Sequence, residues 1–220
     1  MSEPQLSVVS VIFSIHNNMM GVFLENRKNI FYLPTTSIVA TDLQLEMAAQ
    51  RTLQSLSGLS IPYWEQVQTI CHSTHAPPSW SVSVIYYGLL PGQNPDKETK
   101  QLTWMSIESL ALHSLPDNSF AIVELCLKRL QNKSLYTSLP IFLLPMEFTL
   151  TELQKTYEII LGFKIEKKSF RRRLLDSDLL EETSNVRRAS HRPAQLYRLA
   201  TAEPYFFARI IEGAREREMV

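Results

Sequence analysis

The sequence predicts an α+β protein with an N-terminal α/β/α sandwich and a C-terminal winged helix-turn-helix domain. In residues 1–145, β-branched apolar runs alternate with amphipathic stretches of helical period, which is typical of a sheet covered by helices. In residues 146–220, two helical stretches precede two short strands. Of the 220 residues, 45% are hydrophobic and 20% charged, an ordinary globular composition that excludes a disordered or collagen-like chain. The expected domain boundary lies near Pro145.

The strands of the first domain are predicted from apolar runs bounded by turn residues. Residues 7–15 are suited to a buried strand, and residues 19–25 follow after a polar turn at 16–18, so the two form a hairpin. Residues 31–34 form a short strand that ends at Pro34, because proline cannot continue a ladder. Further strands are predicted at 64–73, 80–90 and 102–107, with a turn at 75–78 and a polar loop at 91–100.

Two helices of this domain are predicted from their apolar spacing. Asp42 is a suitable N-cap for the first, which ends at Gly58 and has apolar residues every three or four positions. Residues 118–133 form the second helix, with apolar side chains at positions 122, 125, 127 and 130. Strands around one central helix, followed by a final helix, give the sandwich.

The second domain begins with a recognisable helix start. Thr149 and Glu152 have the spacing of a capping box, and Gly162 ends that helix. Its buried face is expected to hold Leu153, Tyr157, Ile160 and Leu161. A second helix is predicted over residues 166–177, followed by strands at 179–183 and 195–199 with a basic loop between them. This order of elements is the outline of a winged helix-turn-helix.

Charge is unevenly distributed along the chain, although 22 basic and 22 acidic residues balance overall. Residues 164–198 contain ten Lys or Arg and five acidic residues, so this stretch carries about +5 and the rest about −5. Such segregation favours an anionic partner for the C-terminal domain. Cys71 and Cys126 are expected to be buried apolar residues, since two cysteines cannot form a disulfide framework. Neither a signal peptide nor a membrane helix is predicted, which indicates a cytoplasmic protein.

Residues 31–59 resemble the loop–helix–loop of Nudix hydrolases. When the two are aligned on Arg51, this chain keeps Arg51, Leu53, Gly58 and Leu59 of that signature. The positions of the metal-binding glutamates hold Leu43, Thr52, Ser55 and Leu56. Nudix chemistry needs carboxylates that hold divalent cations and activate water, and these residues cannot replace them. We therefore predict no catalytic residue, no metal and no cofactor.

Residues 148–162 and 170–199 resemble the winged-helix half of the Nudix-related transcriptional regulators of bacteria, the NrtR-like family. The resemblance rests on Phe170-Arg-Arg, Arg192-Pro-Ala and Leu196-Tyr-Arg, and it extends from about residue 7 to about residue 200. It implies a Nudix-like domain, residues 1–145, that senses a nucleotide sugar, typically ADP-ribose, and a DNA-binding domain, residues 146–220. It also implies target genes of NAD metabolism, with sugar catabolism as the variation within the family. The chain departs from the family at residues 75–80, where a basic turn is replaced by His-Ala-Pro-Pro-Ser-Trp.

The candidate site residues follow from this outline. If Phe170 and Leu174 point inward, Arg172 faces outward, where its planar fork can pair with guanine. Arg171 and Arg173 are expected to bind phosphate. The full set of predicted DNA-binding residues is Lys167, Lys168, Ser169, Arg171, Arg172, Arg173, Arg187, Arg188, His191 and Arg192. The alternative is a solvated charge run balanced by Glu181 and Glu182. Arg51 and Trp80 are candidate effector-binding residues, with a core or wall position as the alternative for Trp80.

Two functions of different class fit these patterns. The first is a ligand-responsive repressor that binds double-stranded operator DNA as a homodimer and senses ADP-ribose or a related nucleotide or sugar without cleaving it. The second is a Nudix-type pyrophosphatase with a non-standard metal site, which the missing carboxylates disfavour.

Overall fold

The computed structural model describes residues 5–75, 78–92, 101–113, 115–116, 118–187, 193–208 and 210–211. The chain divides into two compact units, Met1–Leu127 and Lys128–Val220. The division falls inside helix α3 (Ser119–Ser134). The domain boundary near Pro145 stays a prediction, because compact packing does not by itself show which segments fold independently.

Seven strands of the described chain form one mixed sheet in the first unit: β1 (Gln5–His16), β2 (Met19–Arg27), β3 (Ile30–Tyr32), β4 (Thr35–Ser37), β5 (Tyr63–His75), β6 (Pro78–Leu89) and β7 (Leu102–Ser106). Strand β1 pairs parallel with β6 and antiparallel with β2 and β4. Strands β3 and β7 pair with β2, and β5 pairs with β6, all antiparallel. The strands predicted in this unit are confirmed, whereas β4 was not predicted.

The predicted hairpin between β1 and β2 is also confirmed. Its two turn residues, Asn17 and Asn18, have φ angles of 50° and 62°. Positive φ at both positions is the requirement of a type I′ turn, whose twist matches that of the strands, and asparagine tolerates it. Within β1, the consecutive residues Val11, Ile12 and Phe13 are all buried, so both faces of this strand are covered.

Helix α1 (Leu45–Ser57) covers one face of the sheet. Its Ala48 and Ala49 share a buried cluster with Val8 and Val84, and it ends at Gly58 with φ 68°, as predicted. The prediction that Asp42 caps this helix is wrong. The N-cap is Gln44, without a side-chain hydrogen bond, because the Asp42 carboxylate instead accepts from the Val39 amide and from the Arg51 guanidinium.

Helix α3 covers the other face of the sheet. Val9 and Ser83, the neighbours of Val8 and Val84, line a cavity together with Ile122 of α3. Because side chains alternate between the faces of a strand, α1 and α3 lie on opposite sides, which gives the predicted α/β/α sandwich. A short helix, α2 (Ile107–Leu110), follows β7 and was not predicted.

The second unit has the predicted winged helix-turn-helix. A 3-10 helix (Leu139–Leu143) precedes α4 (Leu150–Leu161), α5 (Lys167–Leu175) and the antiparallel strands β8 (Leu180–Arg187) and β9 (Ala194–Leu199). The capping box of Thr149 and Glu152 is confirmed, and Gly162 ends α4 with φ 75°. Strand β8 is longer than predicted, so Arg187 lies on a strand rather than on the loop.

The core of the second unit includes a segment that sequence patterns did not assign. Ile210 and Ile211 are fully buried in one cluster with Phe170 and Leu174. Upstream of them, the Ser138 amide donates to the Tyr205 carbonyl at 3.0 Å, which fixes the returning chain. This C-terminal segment, residues 205–208 and 210–211, therefore belongs to this fold.

Two expectations about single residues are wrong. Cys126 is buried as expected, but Cys71 is exposed, because it lies on β5, an outer strand of the sheet. A core position for Trp80 is also wrong, since 58% of its surface is exposed. No helix in the described ranges combines the length and the apolar character that crossing a membrane requires.

Candidate functional site

The turn between α4 and α5 is held by the carboxylate of Glu158. It accepts hydrogen bonds from Lys164 Nζ at 2.7 Å, from the Ile165 amide at 3.1 Å and from Gln154 Nε2 at 3.1 Å. Burial raises the pKa of Glu158, but these three donors outweigh burial and hold that pKa below its ordinary value. The charged carboxylate thus fixes the direction in which the chain enters α5.

The orientation of α5 follows from its cap and its buried face. The Glu166 carboxylate accepts from the amides of Lys168 and Ser169, at 2.8 and 2.6 Å, which satisfies two free donors of the first turn. Phe170 and Leu174, 1% and 0% exposed, anchor the inner face, as predicted. The Phe170 ring meets the Tyr157 ring edge-on, with centroids 5.0 Å apart. The opposite face of α5 must therefore face solvent.

Two cations, Lys168 and Arg172, occupy that outer face of α5, and Lys167 is exposed at the start of the helix. Lys167, Lys168 and Arg172 are exposed, and within the described part of the chain their side chains have no hydrogen-bond or ion-pair partner. A group of exposed cations with no internal counter-charge is suited to binding an extended anion. Ser169, also predicted as a contact, is half-buried beside them.

The other two arginines of α5 make internal hydrogen bonds. Arg171 donates from Nη2 to Thr151 Oγ1 on α4 at 2.8 Å. Arg173 donates from Nη1 to the Ile210 carbonyl at 3.1 Å and lines a small cavity of about 170 Å³. Both side chains are half-buried, so they brace α5 against its neighbours.

The wing is formed by β8 and β9, and of its predicted basic residues the structure describes Arg187. Arg187, the last residue of β8, forms an ion pair with Glu152 of α4. Arg198 on β9 pairs with Glu181 at 2.8 Å, which agrees with the predicted balancing role of that glutamate. Arg188, His191 and Arg192 lie outside the described residues.

The helix that resembles the Nudix motif presents no carboxylates at the metal-binding positions. The Thr52 hydroxyl donates to the Ala48 carbonyl at 2.9 Å, and the Ser55 hydroxyl donates to the Thr52 carbonyl at 2.8 Å. Leu56 is partly buried against the core, whereas Leu43 is 85% exposed. No group of three or more potential metal ligands occurs among the residues that the structure describes.

Arg51 holds together the loop that precedes α1. Its guanidinium donates to the Asp42 carboxylate at 2.8 and 3.1 Å and to the Ser37 carbonyl at 3.0 Å. Hydrogen bonding from Arg51, and next from the Val39 amide, holds the pKa of Asp42 below its ordinary value. Arg51 also lines a cavity of about 340 Å³ beside Gln50, Gln54 and Trp64.

A larger cavity of about 640 Å³ lies between the sheet and the start of α3. Ligand pockets commonly measure about 300–1,000 Å³, so this volume can admit a nucleoside-sized molecule. Its polar groups are hydroxyls and an amide, and its lining consists of Val9, Tyr32, Leu33, Thr35, Ser81, Ser83, Asn118, Ser119 and Ile122. None of these residues is charged. Neither Arg51 nor Trp80 is among them; on β6, Trp80 alternates away from Ser81 and Ser83.

Sequence patterns did not predict the residues that line this cavity, although one pattern that indicates them was present. The strand predicted at residues 80–90 alternates Ser81 and Ser83 with Val82 and Val84. A polar face on a strand inside a sheet, opposite an apolar face that packs on a helix, indicates a wall of a polar cavity. The partner residue Asn118 could not be placed there without knowledge of the topology.

Comparisons with known proteins agree with this architecture. A sequence model described as the NrtR DNA-binding winged helix domain matches residues 140–199. The chain is 37% identical over 226 residues to the ADPR responsive transcriptional repressor NtrR of Acinetobacter baylyi, and the match covers 98% of this chain and 90% of that protein.

Solved structures give the same result. The crystal structure of Shewanella oneidensis NrtR complexed with a 27mer DNA matches with a TM-score of 0.83 and 32% identity, over 93% of this chain and 98% of that one. The NUDIX domain of the same NrtR, crystallised with ADP ribose, matches with a TM-score of 0.51 and 24% identity, over 59% of this chain and 90% of that one. At this identity the second match is one of fold.

Proposed function

The chain belongs to the NrtR family of transcriptional regulators, and from this premise we propose that it is a ligand-responsive repressor that binds operator DNA through α5 and the wing. The observation that carries the proposal is the pair of exposed cations Lys168 and Arg172, with Lys167 exposed at the helix start, on a helix whose opposite face is anchored in the core. In a winged helix-turn-helix, the second helix is the element that enters the major groove.

The contacts within this interface have different roles. We propose that Arg172 reads a base, because a guanidinium can pair with guanine O6 and N7, and that Lys167 and Lys168 contact phosphates. A guanidinium has five N–H donors, so Arg171 and Arg173 can brace α5 and also contact phosphate. Ser169 of α5, together with Arg187, Arg188, His191 and Arg192 of the wing, completes the proposed surface.

The effector is proposed to be ADP-ribose, the ligand named in the description of the Acinetobacter baylyi relative. The hydroxyl-lined cavity of about 640 Å³ supports this proposal, because neutral donors and acceptors match a base and the hydroxyls of ribose. Its lining offers no cation to a diphosphate. The diphosphate is therefore placed outside this lining. Arg51 on α1 and Trp80, which alternates away from Ser81 and Ser83, belong to the opposite side of the sheet, and they stay proposed contacts for an effector bound on that side.

We propose that this domain binds the effector without hydrolysing it. Thr52 and Ser55 use their hydroxyls within α1, and Leu56 packs on the core, so these positions supply no metal ligand. Incubation with ADP-ribose and magnesium or manganese should release no AMP. Turnover at about 1 s⁻¹ or faster, a rate typical of enzymes, would instead favour a pyrophosphatase.

The central experiment tests DNA binding by the second domain and effector sensing by the first domain together. Operator DNA is first selected from a random library by the full-length protein, and affinity is then measured by fluorescence anisotropy with and without ADP-ribose. We expect binding to a pseudo-palindrome by two chains, since one winged helix reads few base pairs, and a change in affinity when ADP-ribose is added. Genes of NAD metabolism are the proposed targets. Selection that enriches no sequence would contradict the proposed function.

A further inference from the structure

Strand β8 contacts the start of α4 through two carboxylates, which accept hydrogen bonds from its side chains. The side-chain amide of Asn185 donates to both oxygens of Glu147, at 3.0 Å each. Two residues further along, Arg187 pairs with Oε1 of Glu152. Both contacts therefore join the second half of β8 to residues at the start of α4.

Glu152 is itself held in place by the capping box. Its Oε2 accepts from the Thr149 amide at 2.8 Å and from the Thr149 hydroxyl at 3.0 Å, while its own amide donates to the Thr149 hydroxyl at 3.1 Å. Surface ion pairs contribute little when two mobile side chains must be ordered. Here the carboxylate is already ordered by the cap, so only Arg187 loses freedom when the pair forms.

The charge of Arg187 is therefore compensated in the free protein. The exposed cations of α5 differ in this respect, because within the described residues Lys167, Lys168 and Arg172 have no acidic partner. A DNA phosphate that approaches the wing must compete with Glu152 for the guanidinium.

We propose that Glu152 is an internal competitor of DNA phosphate for Arg187 and thereby limits the affinity of the wing for DNA. This inference rests on the proposed function. Each phosphate contact steepens the salt dependence of binding by about 0.9 units of log K per unit of log salt. Release of Arg187 from Glu152 should therefore increase both affinity and salt dependence, on operator and random-sequence DNA alike.

The test uses the variant Glu152→Gln in the full-length protein. Glutamine serves in a capping box as glutamate does, so α4 keeps its cap while the charge is removed. We expect roughly two- to fivefold tighter binding, the range that a solvent-exposed ion pair supports, and a steeper salt slope by at most about 0.9. Unchanged or weaker binding would overturn the proposal, since a glutamate that merely orients Arg187 would be needed for affinity.

Two further variants separate local competition from net charge. In the Arg187→Gln protein, adding Glu152→Gln should not change the affinity for DNA, because the guanidinium for which Glu152 and phosphate compete has been removed. Glu181→Gln removes an equal charge from β8 but releases Arg198 instead, and it should leave the salt slope closer to that of the parent. A tightening that persists without Arg187 would overturn the proposal. If the parent binds no DNA, the proposed function fails together with this inference.

Discussion

The guanidinium of Arg173 donates a hydrogen bond from Nη1 to the backbone carbonyl of Ile210, at 3.1 Å. This bond joins the proposed recognition helix to the C-terminal segment. Ile210 and Ile211 are 0% and 2% exposed and pack in one cluster with Phe170 and Leu174. The winged-helix match ends at residue 199, so the brace adds to that domain a segment that lies beyond it. The position of α5 thus depends on residues far along the chain.

The first prediction concerns this C-terminal brace. Ile211→Ala should lower the free energy of unfolding by about 2–5 kcal/mol, the usual cost of truncating a buried aliphatic side chain. Met146→Ala is a matched control in the same unit, because Met146 is 89% exposed, and it should change stability by about 0.5 kcal/mol or less. Urea unfolding followed by circular dichroism gives both values. Equal midpoints for the two variants would show that the C-terminal segment does not stabilise the fold.

The second prediction concerns base recognition by α5. Arg172→Ala should weaken operator binding by about 1–3 kcal/mol and relax the preference at one base pair. Lys128→Ala removes the same charge from an exposed position on α3 and should leave the preference unchanged. Anisotropy titrations on the operator and on operators with single base-pair changes measure both effects. A uniform loss on every sequence would assign Arg172 to phosphate instead.

The third prediction concerns the two cysteines. Burial, and next the nearby Glu65 carboxylate, raise the pKa of the Cys126 thiol to about 12. A thiol reagent at pH 8 should therefore modify exposed Cys71 in the native protein, and Cys126 only after unfolding. Mass spectrometry of the labelled protein distinguishes the two sites. Rapid native labelling of Cys126 would contradict its burial.

The same thiol affects stability at alkaline pH. Its pKa is higher in the folded chain than in the unfolded one, so its contribution is fully present below pH 9 and is lost as the pH rises towards about 12. The buried Tyr87 and Tyr157, whose pKa values burial also raises, act in the same direction at higher pH. Cys126→Ala should therefore show a smaller loss of stability between pH 8 and pH 10.5 than the parent, in parallel urea titrations.

Short sequence patterns correctly predicted the features that depend on contacts between residues close together in the chain. The capping box of Thr149 and Glu152 and the inward positions of Phe170 and Leu174 follow from spacing alone. Asp42 shows the limit of such signals, because it has the side chain of an N-cap but is held by Arg51, nine residues away. Tertiary pairing determined which of its two roles prevailed.

The candidate sites were predicted less completely, for a similar reason. Which arginines of α5 are available depends on distant partners, and neither Thr151 nor Ile210 is identified by the sequence near Arg171 and Arg173. The pairing of Arg187 with Glu152 likewise needs the turn of the wing. Composition reveals a basic stretch, but only the fold shows which of its charges are already compensated.

The structure of α1 also bears on whether a metal site could be restored. Thr52, Ser55 and Leu56 lie within two turns of this helix. Leu56 and Leu53 belong to the same apolar cluster, where Leu53 is buried and Leu56 partly so. A carboxylate at position 56 would therefore have to leave apolar contacts or be charged beside them, and either change costs free energy.

The last prediction follows from this packing. The combined change Thr52→Glu, Ser55→Glu and Leu56→Glu should lower stability, because three nearby carboxylates repel one another and one of them replaces a packed leucine. The matched control carries glutamine at the same three positions, which keeps size and polarity but removes the charge. The glutamate variant should have the lower urea midpoint, and magnesium should restore little of the difference. A midpoint that magnesium raises to that of the glutamine variant, with release of AMP from ADP-ribose, would show instead that the geometry of a Nudix metal site persists in this helix.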